Sequence, residues 1–269
     1  MEPHRLIDAT FKTILGIPGS KRVSHSKLQQ FAANLALVAL GIRSGYMFDA
    51  FSIPRHDTGD FLNSVIHELR KITEYVDVSL LTGSSFQDYF LVNVPMLVEN
   101  LHRELLDSST ASVNAANHIG TIFVSLSTPP HLTAIPSAFR ENIIQGLLGN
   151  LQASLATQET TGLPLKFDIP LDLSNPMDAI PLAAVILEFP IANTPLDVYE
   201  CCLHLQTSKH NTEHIFLKFS CPSELSIAER PDTIKEKLLT QFSRRTRACG
   251  IQTDIAIKHT RVTLDRVAL

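Results

Sequence analysis

"LGIPGSKRVSHSK", Leu15 to Lys27, decides how the N-terminal half is built. Two glycines, a serine and a lysine precede a long apolar run, the ingredients of a phosphate loop. Such a loop needs G-x-x-x-x-G-K-[ST] between a strand and a helix. Here Gly16 and Gly19 are three apart, Ser20 intrudes before Lys21, and Pro18 removes one N–H from the would-be anion nest. The segment ahead is no strand, because Leu6, Ile7, Phe11, Ile14 and Leu15 recur at helical spacing, with Pro3 suited to a first turn. The stretch reads as a helix–helix connector. Gly16 caps one helix, and Ser24 or Ser26 starts the next. Ser26 with Gln29 fits a capping box, for a helix running to about Arg43.

Working outward, "GYMFDAF" predicts a buried strand ending near Asp49, followed by a loop and a helix start in "PRHDTGD" with Asp57 or Thr58 as cap. Leu62, Val65, Ile66, Leu69 and Ile72 form that helix's apolar stripe. "YVDVSLL" and "FQDYFLVNV" flank "TGSS", a hairpin pattern. Pro95 opens another helix, "SSTASVNAAN" a loop, "IGTIFVSLS" a strand, and Ser137 to about Leu155 a helix. Helices alternating with strands indicate an α/β sheet with covered faces.

Prolines 164, 170, 176 and 181 mark a connector. Beyond it, "LAAVILEF", "DVYECCLHLQ" and "EHIFLKFS" read as strands, Pro231 to about Ala248 as a helix capped by Gly250, and "QTDIAIK" with "RVTLD" as a closing hairpin. The fold class is mixed α/β. It comprises a 1–157 α/β lobe, a 158–177 proline-containing connector, and a 178–269 antiparallel meander with a covering helix. One shared sheet joins the lobes, with two separate cores as the alternative.

Side-chain alternation sets a register for the 198–220 hairpin. Tyr199, Cys201 and Leu203 share a face, as do Ile215, Leu217 and Phe219. A pairing sum of 418 puts Tyr199 by Phe219, Cys201 by Leu217 and Leu203 by Ile215, all buried. On the other face it puts Glu200 by Lys218, an opposite-charge pair, and His204 by His214, with Cys202 beside Phe216 between the two pairs. The loop centres on Ser208, Lys209 and His210. Phe216 counts against this register, since a large apolar ring lands outside.

A net charge of −4 argues against nucleic acid, whose binders carry a basic face. The densest basic cluster, Arg244, Arg245 and Arg247, falls near a helix end, where cations suit the dipole. The longest apolar run, Phe31 to Ile42, is shorter than the ~20 residues of a membrane span. "MEPHRLIDAT" lacks a basic stretch leading into an apolar one. Cys201, Cys202, Cys221 and Cys249 form no C-x-x-C, consistent with reduced thiols in the cytoplasm or nucleus.

Candidate chemistry is sparse. Asp49 ends a strand where α/β folds place ligands, and His56 and Asp57 follow with Arg55. This grouping of acid, base and cation is suited to hydrolase-type acid–base or metal-assisted work. Asp49 bonded within its loop and Asp57 as a helix cap explain the same residues. Cys202, His204 and His214 are metal-ligand types sharing one face in the inferred register, although structural zinc needs four ligands. Surface histidines on a hairpin are the alternative. Ser125 and Ser127 lack a G-x-S-x-G. No cofactor motif occurs.

"LALVALGIRSGYMFDAF" (Leu35 to Phe51), "LEFPIANTPLDVYECCLHL", "FLKFSCPSEL" and the terminal "VTLDRVAL" resemble segments of an uncharacterised eukaryotic open-reading-frame family with a domain of unknown function. The resemblance implies a eukaryotic intracellular protein and carries no functional residue. The leading functional expectation is therefore a non-catalytic protein-interaction or scaffold module with a protein partner. The alternative is an enzyme with a site near Asp49, His56 and Asp57.

Overall fold

In the computed structural model the described residues are 2–53, 55–83, 89–107, 121–125, 131–133, 135–158, 162–169, 176–189, 191–192, 197–207, 212–222, 231–251 and 254–263. In chain order they form α1 (Pro3–Leu15), α2 (His25–Ala39), β1 (Gly45–Met47), α3 (Arg55–Leu69), β2 (Val78–Gly83), β3 (Tyr89–Asn93), α4 (Val94–Asp107), β4 (Ile122–Ser125), β5 (His131–Thr133), α5 (Gln145–Ala156), β6 (Lys166–Ile169), α6 (Pro176–Leu187), β7 (Ile191–Ala192), β8 (Asp197–Thr207), β9 (Thr212–Pro222), α7 (Pro231–Ala248) and β10 (Asp254–Thr263). The class is mixed α/β, as expected.

The opening stretch is a helix–helix connector. α1 ends at Gly16, and the chain then tightens into a 3-10 turn at Ser20–Arg22. Gly19 adopts φ +101°, and a Cβ there would sit 3.3 Å from the Phe61 ring, so glycine is required twice over. Ser20 is buried and its hydroxyl donates to the Ile17 carbonyl, so it is a turn residue. α2 starts from Ser24, two residues earlier than a Ser26 cap would set it. It stops at Ala39 instead of Arg43, because Gly41 (φ +67°) turns the chain, and the Val38 carbonyl accepts from the Gly41 N–H and the Asn93 amide.

The chain divides into two compact units. One comprises residues 1–102 with 141–179, the other 103–140 with 180–269. The second unit thus takes in 103–140 as well as the stretch expected to form the C-terminal lobe.

The first unit holds a four-stranded sheet ordered β1-β3-β2-β6. β2 and β3 form the expected antiparallel hairpin, and β6 adds to β2 in parallel. The expected connector therefore supplies a strand. Arg70, from the end of α3, fastens its entry. The guanidinium donates to the carbonyls of Val78, Leu163 and Pro164 and to the Ser79 hydroxyl. The core runs from Leu6 and Ile14 through Phe31, Leu35, Leu62, Val65 and Ile66 to Leu80 and Leu91. Ahead of α5, Phe139–Ile144 is wound as a π-helix, continuing the expected stripe of Phe139, Ile143, Leu147 and Leu151, all buried.

The second unit holds an antiparallel sheet β10-β8-β9 and a sheet β5-β4-β7 in which β4 and β7 are parallel. Three expectations are corrected here. "LAAVILEF" is not a strand; Leu182 to Leu187 form the second half of α6. The run is apolar on every side, and Leu182 to Leu187 are all buried, so periodicity could not separate buried helix from buried strand. "QTDIAIK" and "RVTLD" are not a hairpin. Asp254–Thr263 is one strand paired along its whole length with β8. Finally, the β8–β9 register runs at sum 420 from Val198↔Pro222 to Leu203↔Leu217, then at 419 from His204↔Ile215 to Thr207↔Thr212. A β-bulge at Phe216 causes the shift. α7 and its cap are as read, with Gly250 at φ +69° and the Ile251 N–H bonded to the Thr246 carbonyl.

Candidate functional site

The strand-end candidate resolves into an aromatic wall with one acid on its outside. Phe31, Phe48, Phe51 and Phe61 pack edge to face, with centroids 5.0 to 6.0 Å apart in the closest pairs. Phe48 and Phe51 thus anchor the segment that carries Asp49, and Asp49 itself is exposed. The Tyr46 hydroxyl donates to Asp49 Oδ1 at 2.9 Å. Burial, reinforced by the Asp49 charge, pushes the Tyr46 phenol well above its ordinary range, so it stays a donor. The expected loop at Arg55, His56 and Asp57 is instead the first turn of α3. Asp57 is exposed inside that turn, where an acid suits the helix dipole, and it is not the cap. The His56 side chain lies outside the described residues. Asp49 is therefore held just beyond the end of β1 by the Tyr46 hydroxyl.

The hairpin candidates are separated by the bulge. Opposed residues of an antiparallel pair share a face, so His204 lies with Ile215 and Cys202 with Lys218. His214, opposite Leu205, falls on the reverse face. Cys202 and His204 remain together, and His214 does not join them. Among the described residues no group of three His, Cys, Asp or Glu side chains could hold a metal ion. Ser208, Lys209 and His210 lie outside the described residues, as does Ser127. Ser125 is the last residue of β4.

The bulge also redistributes the apolar side chains. Phe216 and Leu217 both turn inward, and Phe216 (2% exposed) packs edge to face on Phe242 of α7 at 5.1 Å. Ile215, expected inside, is 46% exposed, and His204, expected outside, is 6% exposed. Leu203, Leu217 and Phe219 are buried as expected, and Cys201 is half-buried.

The outer face of this sheet carries a row that crosses all three strands. Cys202 on β8 stands opposite Lys218 on β9 and opposite Lys258 on β10. Both lysines are exposed and the thiol is half-buried. The next row is Ala256, His204 and Ile215, and the row before is Thr260, Glu200 and Ser220.

Inside the same unit, α6 ends on Glu188, a non-glycine residue at φ +58°. Its carboxylate receives both Nη atoms of Arg245 and, at 3.4 Å, the amide of Gln241. Both charged side chains are nearly buried, and the Arg245 guanidinium lies 5.3 Å from the Phe242 ring centre. Sequence reasoning took Arg245 as one of three cations suited to a helix end. In the structure Arg244 and Arg247 are exposed and Arg245 is turned inward. Only the odd placement of Glu188 at the end of an apolar run hinted at this. Lys218 and Lys258 as neighbours of Cys202 were likewise missed, since a two-residue register error and a wrongly placed hairpin hid both.

No helix among the described residues is long and apolar enough to cross a membrane. No known family model matches the chain, and no curated protein or solved structure matches it either.

Proposed function

We propose that the protein is a non-catalytic protein-interaction module of the cytosol or nucleus, and that β10 is its docking element. The observation that carries this reading is the pairing of β10. Ten residues are laddered to β8 on one side, and no described residue pairs with the other side. An edge of that length offers a row of backbone donors and acceptors for an added strand. Asp254, Lys258, His259 and Thr260 are exposed, and Ile255, Ala256 and Ile257 are half-exposed, enough for shallow side-chain pockets. Lys258 and Arg261 outnumber Asp254, so an extended acidic segment of a partner protein fits best, although the chain as a whole carries −4. An apolar patch is not the docking mode supported here. The large exposed hydrophobics among the described residues are Val76, Leu106 and Ile215, with Val76 in a different unit from the other two.

Affinity purification from native cells with mass spectrometry, followed by cross-linking from Lys258, tests this. The expected result is a stoichiometric partner whose cross-linked segment is acidic. A peptide of that segment should bind in isolation and lose ~10-fold or more in affinity against K258E/R261E, with thermal unfolding unchanged. Undiminished binding to K258E/R261E, or cross-links that avoid β10, would overturn the reading.

A further inference from the structure

The row Lys258–Cys202–Lys218 is a chemical constellation of which the docking role uses only Lys258. Directly opposed residues on one sheet face have Cβ atoms about 4.5–5.5 Å apart, well inside the reach of a lysine side chain. Cys202 therefore stands between lysines of both neighbouring strands, while remaining partly open to solvent. Along β8 the same face carries Glu200 and His204 at the flanking register positions.

Such a setting has two consequences. Cationic neighbours favour the anionic sulfur that attacks a disulfide, and they concentrate anionic reagents at the same spot. The chain contains its own controls. Cys201 is adjacent in sequence but belongs to the reverse face, opposite His259 and Phe219. Cys249 is half-buried beyond the end of α7, and burial pushes its thiol up, away from the reactive form.

We propose that Cys202 is a thiol-modification site for small anionic disulfides of the glutathione type, with Lys218 and Lys258 receiving the carboxylates. In the reaction the Cys202 thiol loses its proton to water. Its sulfur then attacks one sulfur of the disulfide, forming a new S–S bond. The original S–S bond breaks, and its electron pair leaves on the departing thiolate, which takes up a proton from water. Cys202 is oxidised to a mixed disulfide, one equivalent of thiol is released reduced, and excess thiol reverses the step.

The full chain is treated with glutathione disulfide, and modification is assigned by mass spectrometry in wild type, C201S and C202S. Rates are then compared for an anionic aromatic disulfide (dithiobis-nitrobenzoate) and a neutral one (dithiodipyridine). The mixed disulfide is expected first on Cys202 and lost in C202S. In K218Q/K258Q the anionic reagent should slow ~10-fold while the neutral reagent changes by less than about 2-fold. Added salt should slow only the anionic reaction of wild type, a measurement that needs no variant. Preferential modification of Cys201 or Cys249 would overturn the proposal. So would an anionic-to-neutral rate ratio that neither the lysine substitutions nor salt alters.

Discussion

Arg245 grips Glu188 at two points, Nη1 to Oε2 at 2.9 Å and Nη2 to Oε1 at 2.6 Å, across 57 residues of chain. The pair ties the end of α6 to the last turn of α7. It also sits at a residue whose backbone lies in the left-handed region, where a β-carbon is disfavoured by roughly 1–2 kcal/mol. Removing one partner strands a nearly buried charge. R245M is expected to lower unfolding stability by about 3 kcal/mol. E188G/R245M should recover part of that loss, because glycine relieves the backbone and no charge is left over. Urea titration of both variants checks this. A double variant weaker than R245M would remove the ion pair from the account.

Two buried phenols set the alkaline limit of the fold. Tyr46 and Tyr75 are both raised above the ordinary tyrosine range, chiefly by burial. The Asp49 charge adds to the effect at Tyr46, and the Thr10 hydrogen bond partly opposes it at Tyr75. Below pH ~10 both states hold the proton and stability is flat. Above it the unfolded chain ionises first, so stability falls as pH rises, by up to about 1.4 kcal/mol per pH unit for each phenol. Denaturation between pH 8 and 11 should show this decline, and Y46F and Y75F should each flatten it. An unchanged slope in both variants would contradict the burial argument.

Phe216 and Ile215 exchange the roles that strict alternation assigns them. F216A should cost about 3 kcal/mol, the usual range for a buried ring, because it empties the contact with Phe242. I215A, at a 46% exposed position, should stay within about 0.5 kcal/mol. Thermal unfolding of the two variants separates the bulged register from the regular one, which would reverse the order.

What was legible in the sequence was the local part of the fold. The α1 stripe, the "TGSS" hairpin, the α3 face and the glycine cap of α7 follow from spacing alone. The losses come where tertiary context overrules pattern. An apolar run buried on all sides has no period, so α6 passed for a strand. A bulge has no reliable local signature, although the misfit of Phe216 was a visible symptom. The candidate site suffered most. Register errors of one or two residues moved His214 to another face and hid both lysines from Cys202. Arg245 and Glu188 lie too far apart in the chain for any motif to join them.

The parallel pairing of β4 with β7 makes a truncation informative. Residues 178–269 alone lack β4 and β5, and so lack the partner of Ile191 and Ala192 and the Thr121 hydroxyl that donates to the Phe189 carbonyl. That fragment is expected to melt broadly and at lower temperature than the full chain. A sharp, cooperative transition by calorimetry would show the C-terminal stretch to be self-sufficient.

The interleaving of the two units has a consequence for biosynthesis. Residues 103–140 leave the ribosome after most of the first unit, yet the rest of their own unit, beginning at 180, follows only after the strand and helices that complete the other. At ordinary elongation rates this leaves the nascent Ile122–Ser125 segment waiting on the order of several seconds for Ile191. During that interval the apolar segment "IFVS" stands without its parallel neighbour, an unpaired strand edge in the emerging chain.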